Sequence, residues 1–295
     1  MRVATPRSES SQAPGTARRS NARTGRATAA ARAAKAPAQP TAAVLIVAHN
    51  QARRIAATVR ASRAIPGVDL VLVVDDGSTD NTQHLARKAG AVVVRHSHRR
   101  GRNASIETAA AVIAMRDEEG KPQRAVLLME AGLGNGAVGA APLVEAVLEH
   151  VADMAIGLAD GGVRSTGASS GAARKAIASL SGWRPLQPLS RVRCLTREAL
   201  EVAIPLSLGA GMEMGITLDV IDAGLTVTEV QCEMRHRTAK SSAYPLARVG
   251  QYRDVMMAIS SRRVRLSLRS TQHAVEDTFH IASSSRVQNS DGTPE

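Results

Sequence analysis

Aromatic residues are almost absent from this 295-residue chain: Trp183, Tyr244, Tyr252 and Phe279 are all it has, so any core is aliphatic. So few rings cannot build the stacking platforms on which single-stranded nucleic acids are held. Cysteine is scarce as well. Cys194 and Cys232 are too few for a disulfide framework, and neither stands in a CxxC or Cys/His cluster with zinc-ligand spacing, which fits a reducing, cytoplasmic compartment. No apolar run approaches the roughly 18 residues that a membrane span needs. The Arg18-Arg19 pair is not followed by a hydrophobic stretch and so makes no export signal.

Acidic residues are in deficit, 26 against 38 Lys and Arg, for a formal charge of +12. The excess is unevenly placed: +7 lies in residues 1–41 and +1 in residues 262–295, leaving +4 for the 220 residues between. The basicity therefore belongs mainly to a tail, which argues against nucleic acid as a partner. Residues 1–41 are Ala, Arg, Ser, Thr and Pro with almost no large apolar side chains, and are expected to be disordered. The chain from about Ser270 onward is similarly polar. Arg248 to Leu268 reads as a basic helix carrying Arg262, Arg263, Arg265 and Arg269. Such a helix is either a solvated face or a contact for anionic lipid or polyphosphate. The expected organisation is a basic tail (1–41), one domain (42–262), and a helix end with a second tail (263–295).

Within the domain, short aliphatic runs alternate with helical stretches. Strands are expected at Ala43–Ala48, Leu70–Val74, Ala91–Arg95, Ala125–Met129, Ala152–Ile156 and Leu225–Met234; the first four are continuous runs of the kind buried on both faces of a parallel sheet. Helices are expected at Gln51–Ala64, from the cap-like Ser78/Thr79/Asp80 to Gly90, at Ala104–Met115, at Pro142–His150 and at Glu213–Ala223. Repeated βα units with short connections imply a doubly wound α/β sheet.

Open parallel sheets bind ligands beyond the carboxyl ends of their strands. There the second strand runs into Asp75-Asp76-Gly77-Ser78-Thr79-Asp80. Asp-Gly is a turn signal, and Ser, Thr and Asp are ordinary helix caps. Turn chemistry does not require two acids at the end of an aliphatic strand, however. Carboxylates placed there can accept from a ribose hydroxyl or a base N–H, which points to a nucleotide.

VLIVAHN (44–50) followed by a helix and then LVLVVDDGSTDNT (70–82) resembles the start of the family 2 glycosyltransferases of the GT-A fold. Also similar, in family order, are Arg100-Gly101-Arg102, QPLSRVRCLTREAL (187–200), GAGMEMGITLDVIDAGL (209–225) and MRHR (234–237). The resemblance covers about residues 42–240 and is strongest to the branch with dolichyl-phosphate mannosyltransferases and glucosyl-3-phosphoglycerate synthase. It implies a single GT-A-type domain with a mostly parallel sheet. It also implies a hexose donor in the form of a nucleotide-diphosphate sugar, a phosphate-bearing or lipid-phosphate acceptor, and a divalent metal, Mg²⁺ or Mn²⁺. Any lipid acceptor would be met at the inner membrane surface, with the basic termini as the contact.

Carried over by position, the resemblance assigns Asp75 and Asp76 to the base and ribose, and Ala48, His49 and Asn50 to the loop after the first strand. His49 stands where the family has Tyr, and Gln51 where it has Glu; His49 either lies beside a base or caps the following helix. The family's Asp-x-Asp motif becomes Glu130-Ala131-Gly132, so one acid survives and the metal site is expected to be weakened. His236 is either a second metal ligand or a surface histidine. Arg102 and Arg193 are expected to meet phosphate or acceptor. Glu213 is either an acid on the acceptor side or a favourable charge at a helix start. Arg191 replaces the Gly of the family's Ser-Gly-x-Arg loop. Arg95 to Arg102 form either a phosphate-facing rim or a solvated loop. The altered positions, Gln51, Gly132 and Arg191, all fall on chemistry rather than on fold. Two readings therefore follow: a working hexosyltransferase with Glu130, Arg193 and Glu213 as its catalytic groups, or a nucleotide-sugar-binding or partner-binding protein on the same fold.

Overall fold

The computed structural model describes residues 39–159, 162–234 and 249–262. The two tails lie outside the described residues, as does His236. The described chain runs β1 (Ala42–Ala48), α1 (Ile55–Arg63), β2 (Val68–Asp76), α2 (Thr82–Lys88), β3 (Val92–His96), α3 (Arg102–Ala114), β4 (Ala125–Glu130), α4 (Ala141–Leu148), β5 (Met154–Leu158), α5 (Ala168–Ser181), β6 (Arg193–Leu195), α6 (Arg197–Ala203), α7 (Met212–Asp222) and β7 (Val227–Gln231). A last helix, α8, covers residues 249–262. Every strand and helix expected within residues 42–234 is present with shifted ends; of the helix expected at Arg248 to Leu268, only residues 249–262 are described. Three elements, α5, β6 and α6, were not expected from the sequence.

The strands form one seven-stranded sheet in the order β3-β2-β1-β4-β6-β5-β7. β1, β2, β3 and β4 pair in parallel, and so do β5 and β7. Only β6, lodged between β4 and β5, runs antiparallel to its neighbours. The chain travels outward from β1 through β2 to β3 and then returns to place β4 on the other flank of β1. Between β1 and β4 the direction of winding reverses, and a crevice opens there at the carboxyl ends of the strands.

Side chains alternate across the strands, which divides the aliphatic core into two layers. Val44, Ile46 and Leu127 pack with Ile55 and Val59 of α1 and with Leu143, Val144 and Val147 of α4. On the other face Leu45, Leu72 and Leu128 meet Ile106 and Ile113 of α3, Leu200 of α6, and Ile216 and Val220 of α7. A third cluster joins Ile177 of α5, Met214 and Leu218 of α7, and Val255 and Ile259 of α8. With α7 gripped from both sides, its first turn is fixed against the sheet. Arg262 was expected on a basic helix face, either solvated or in contact with anionic lipid or polyphosphate. Instead it is buried and ion-paired with Asp219, with Ser207 Oγ also accepting from its guanidinium at 2.7 Å. Arg263, Arg265 and Arg269 lie outside the described residues. Among the described residues no helix is long and apolar enough to cross a membrane.

α1 starts later than the sequence suggests, because residues 50–52 are engaged elsewhere. The backbone N–H groups of Asn50, Gln51 and Ala52 donate to Ser78 Oγ, Thr82 Oγ1 and Asp80 Oδ2. Asn50 Oδ1 accepts in return from the Thr79 N–H at 2.9 Å. The loops after β1 and β2 are thereby laced together. Thr58 on α1 does the same for the loop after β4: its hydroxyl donates to Ala131 O and accepts from the Gly134 N–H, both at 2.8 Å. The expected consequence is that Thr58→Val, which keeps the shape and removes both bonds, costs about 1–3 kcal/mol, measured by urea unfolding. A loss within error would show that this tether does not order the loop.

Candidate active site

A cavity of about 310 Å³ occupies the crevice between the ends of β1 and β4, walled by His49, Gln51, Asp76, Arg99, Gly101, Arg102, Glu130, Gly132 and Arg191 over an apolar floor of Val47 and Met129. That volume lies at the lower end of the ~300–1,000 Å³ usual for small-molecule sites.

Asp76 closes β2 and holds one wall. It is buried, and its carboxylate accepts from the Arg100 N–H at 2.8 Å, the Gly101 N–H at 2.9 Å and His96 Nδ1 at 2.9 Å. Burial pushes its pKa up, but these three donors outweigh it and hold the group below its ordinary value. The Asp76 carbonyl accepts from His49 Nδ1 at 2.9 Å. A carbonyl can only accept, so Nδ1 carries a proton, while Nε2 stands 3.5 Å from the Asn50 side-chain nitrogen. His49 therefore joins loop to strand and lines the cavity at the same time. Asp75 serves the turn instead. Its Oδ1 accepts from the Ser78 N–H at 3.1 Å, and Arg95 Nε stands 3.7 Å from Oδ2. It does not line the cavity; of the two adjacent acids, Asp76 is the one at the crevice. Between this turn and the loop after β3 there is no room for a side chain at residue 77. A Cβ on Gly77, whose φ is +71°, would lie 2.8 Å from the Arg99 nitrogen.

The opposite wall is built on the segment before β6. Arg193 is wholly buried and does not reach the cavity. Its Nη2 donates to Ser190 O at 2.6 Å, and its Nη1 to Glu213 O at 2.9 Å and to Thr217 Oγ1 at 3.3 Å. Desolvation lowers its pKa to about 10, against the opposing pull of Glu213, so it remains charged at neutral pH. Its place is that of a positioning residue. Between the anchored Ser190 and Arg193, Arg191 extends to Glu130, Nη1 to Oε1 at 3.1 Å, and its Nε stands 4.0 Å from Glu213 Oε1. Arg102, in the first turn of α3, is ion-paired with the buried Glu213 and donates from Nη2 to Arg191 O at 3.0 Å. Ala48 is buried at the end of β1, and Asn50 belongs to the lacing of the loops.

The structure thus brings together His49, Asp76, Arg102, Glu130 and, just behind them, Glu213. Arg99, from the stretch read as either a phosphate-facing rim or a solvated loop, and Arg191, which was not expected among the binding residues, complete the cavity. The signal for Arg191 was its substitution for a family glycine. A divalent metal fits the described residues poorly. Among them no three His, Cys, Asp or Glu side chains come together to hold an ion, and Glu130 is already engaged by a guanidinium. Gly132 adds no ligand, although a side chain would fit there: a Cβ would find Gln51 Oε1 at 3.8 Å as its nearest contact.

Residues 43–113 match the family model described as Glycosyl transferase family 2. No curated protein sequence gives a significant match. Among solved structures, glucosyl-3-phosphoglycerate synthase from Mycobacterium tuberculosis in complex with uridine diphosphate is 27% identical, with a TM-score of 0.59 over 76% of this chain and 80% of that one. The same enzyme with Mn²⁺, uridine diphosphate and glucosyl-3-phosphoglycerate is 26% identical, with a TM-score of 0.58 and coverage of 76% and 80%. Its complex with Mn²⁺, UDP-glucose and phosphoglyceric acid gives 26%, 0.58, 76% and 79%. The strand order, the crevice at the reversal of winding and these likenesses together make the chain similar to the family 2 glycosyltransferases and to the fold of the solved glucosyl-3-phosphoglycerate synthase.

Proposed function

We propose that the enzyme transfers a hexose from a nucleotide-diphosphate sugar to a phosphate-bearing acceptor, with the cavity at the β1/β4 crevice as its site. The observation that carries this reading is the mixture of groups lining one cavity. Asp76 and His49 are suited to ribose hydroxyls and a base, and Arg99, Arg102 and Arg191 are suited to phosphate.

In such a transfer an acceptor oxygen forms a bond to the anomeric carbon while the bond from that carbon to the nucleoside diphosphate breaks. Negative charge grows on the departing diphosphate. Guanidinium groups already fixed in the wall stabilise that charge without reorganising at the moment of reaction. Glu213, buried between Arg102 and Arg191, keeps these cations in place and is better suited to that role than to contact with the acceptor. A phosphate-bearing acceptor is supported by the solved relatives, whose complexes contain UDP-glucose and phosphoglyceric acid. The second reading, donor binding without turnover, is favoured by Gly132, where the family has its second acid.

Incubating the full chain with UDP- and GDP-hexoses and a panel of phosphate monoesters should release nucleoside diphosphate only when an acceptor is present. Binding of the donor without release against any acceptor would support the second reading. A second prediction concerns Asp76→Asn, which replaces an acceptor of three hydrogen bonds with a group that presents its own N–H donors. Donor affinity should fall about tenfold or more in calorimetry as the loop after β3 loosens. The stability that Asp76 contributes exists above the ordinary carboxyl pKa of 3.8 and is lost as pH falls through its lowered folded value. The urea midpoints of wild type and Asp76→Asn should therefore differ at neutral pH and converge well below pH 3.8. A difference that persists there would mean that the charge is not what holds the loop.

A further inference from the structure

Arg191 occupies an unusual position. It lies directly against Glu130, at 3.1 Å, and within 4.0 Å of Glu213, so its guanidinium fills the space between these two acids. Gly132 supplies no further carboxylate, so an added cation at Glu130 would find a single carboxylate with a guanidinium beside it. Like charges at such separations repel, and Mg²⁺ or Mn²⁺ would have to displace the guanidinium to gain that single carboxylate.

The backbone on either side of Arg191 is held firmly. Ser190 O accepts from both Nε and Nη2 of the buried Arg193, at 3.2 and 2.6 Å, and Ser190 Oγ donates to Gly157 O at 2.6 Å. Arg191 O accepts from Arg102 at 3.0 Å. The guanidinium is therefore carried on a fixed stem. Of its five N–H groups, Glu130 takes one on Nη1 and Nε leans toward Glu213, which leaves donors for an entering oxyanion. Its charge is secure, because the two carboxylates overcome the effect of partial burial and raise its pKa.

We propose that Arg191 takes the place of the divalent metal: its guanidinium holds the donor's diphosphate, and nucleotide binding needs no metal ion. This rests on the donor reading given above and is tested separately from it. Guanidinium and diphosphate suit one another geometrically, since the planar fork can donate two parallel hydrogen bonds to phosphate oxygens. Glu130 then acts as a positioning residue that aims the guanidinium. Paired to a carboxylate in a half-open crevice, Arg191 gives up little on turning part of its fork to a ligand of higher charge. The competing arrangement is a metal held by Glu130 and His236.

The test is calorimetric titration of the full chain with UDP, GDP, ADP, CDP and dTDP in buffer containing either EDTA or excess Mn²⁺. The best-bound nucleotide is expected to show the same affinity in the two buffers within about twofold. In EDTA, Arg191→Gln should weaken it by about tenfold to a hundredfold, the loss appropriate to charge-assisted hydrogen bonds. Arg191→Lys should fall between the two, and thermal melting of both variants should match wild type, since the side chain is half exposed. Affinity at least tenfold tighter in Mn²⁺ than in EDTA would overturn the inference and leave the donor reading intact. So would an Arg191→Gln variant that binds like wild type in EDTA. Failure of every nucleotide to bind wild type in either buffer would instead remove the donor reading itself.

Discussion

The carboxyl end of β2 is the constraint on which the site depends. Within residues 75 and 76, three acceptor groups fix three loops. The Asp75 carboxylate closes the turn into α2, the Asp76 carboxylate captures the backbone of Arg100 and Gly101, and the Asp76 carbonyl orients His49. Each bond satisfies a polar group at the edge of an aliphatic core, where leaving it unpaired would cost about 1–3 kcal/mol. The strand is held in turn by a sheet whose two faces are both buried. Order in the core is thus passed directly to the cavity wall.

Electrostatics govern the other wall. Four charged side chains, Arg191, Glu130, Arg102 and Glu213, pair across the segment before β6, the end of β4 and the starts of α3 and α7. Arg193 is buried beneath them and serves as a rigid mount, tying Ser190 to the first turn of α7. α7 cannot shift in response, because it is packed between the sheet and the layer formed by α5 and α8. Catalysis by fixed charge requires this kind of support, since a cation free to relax would lose its advantage over water.

Much of this was legible in the sequence. The runs VLIV and LVLVV marked central parallel strands because continuous aliphatic runs of that length suit burial on both faces of a sheet. Gly77 to Asp80 marked the turn, and Asp75-Asp76 before it marked a binding edge. Other parts could not be read. β6 is three residues long, and its register sets Val126 and Met154 on either side of Leu195 and Leu128 opposite Arg193. Those partners are distant in sequence and are supplied only by the assembled sheet, so no local periodicity reveals the strand. α5 is mostly Ala and Ser and carries too little apolar contrast to show a face. The acids were harder to assign than the fold. Nothing local distinguishes Asp75, which serves the turn, from Asp76, which serves the cavity. Nor does the sequence around Arg193 show that its guanidinium points into the core while that of Arg191, two residues earlier, reaches the cavity.

In the proposed complex the diphosphate of a sugar nucleotide lies between Arg191 and Arg102, with no metal ion bridging it to Glu130. The most direct measurement is a crystal structure of the full chain grown with the tightest-binding nucleoside diphosphate and Mn²⁺, with diffraction collected at the manganese edge. Phosphate oxygens should lie within hydrogen-bond distance of the Arg191 guanidinium, the ribose toward Asp76, and no anomalous peak should appear at Glu130. A manganese peak ligated by Glu130, with Arg191 turned away from the phosphates, would contradict that arrangement.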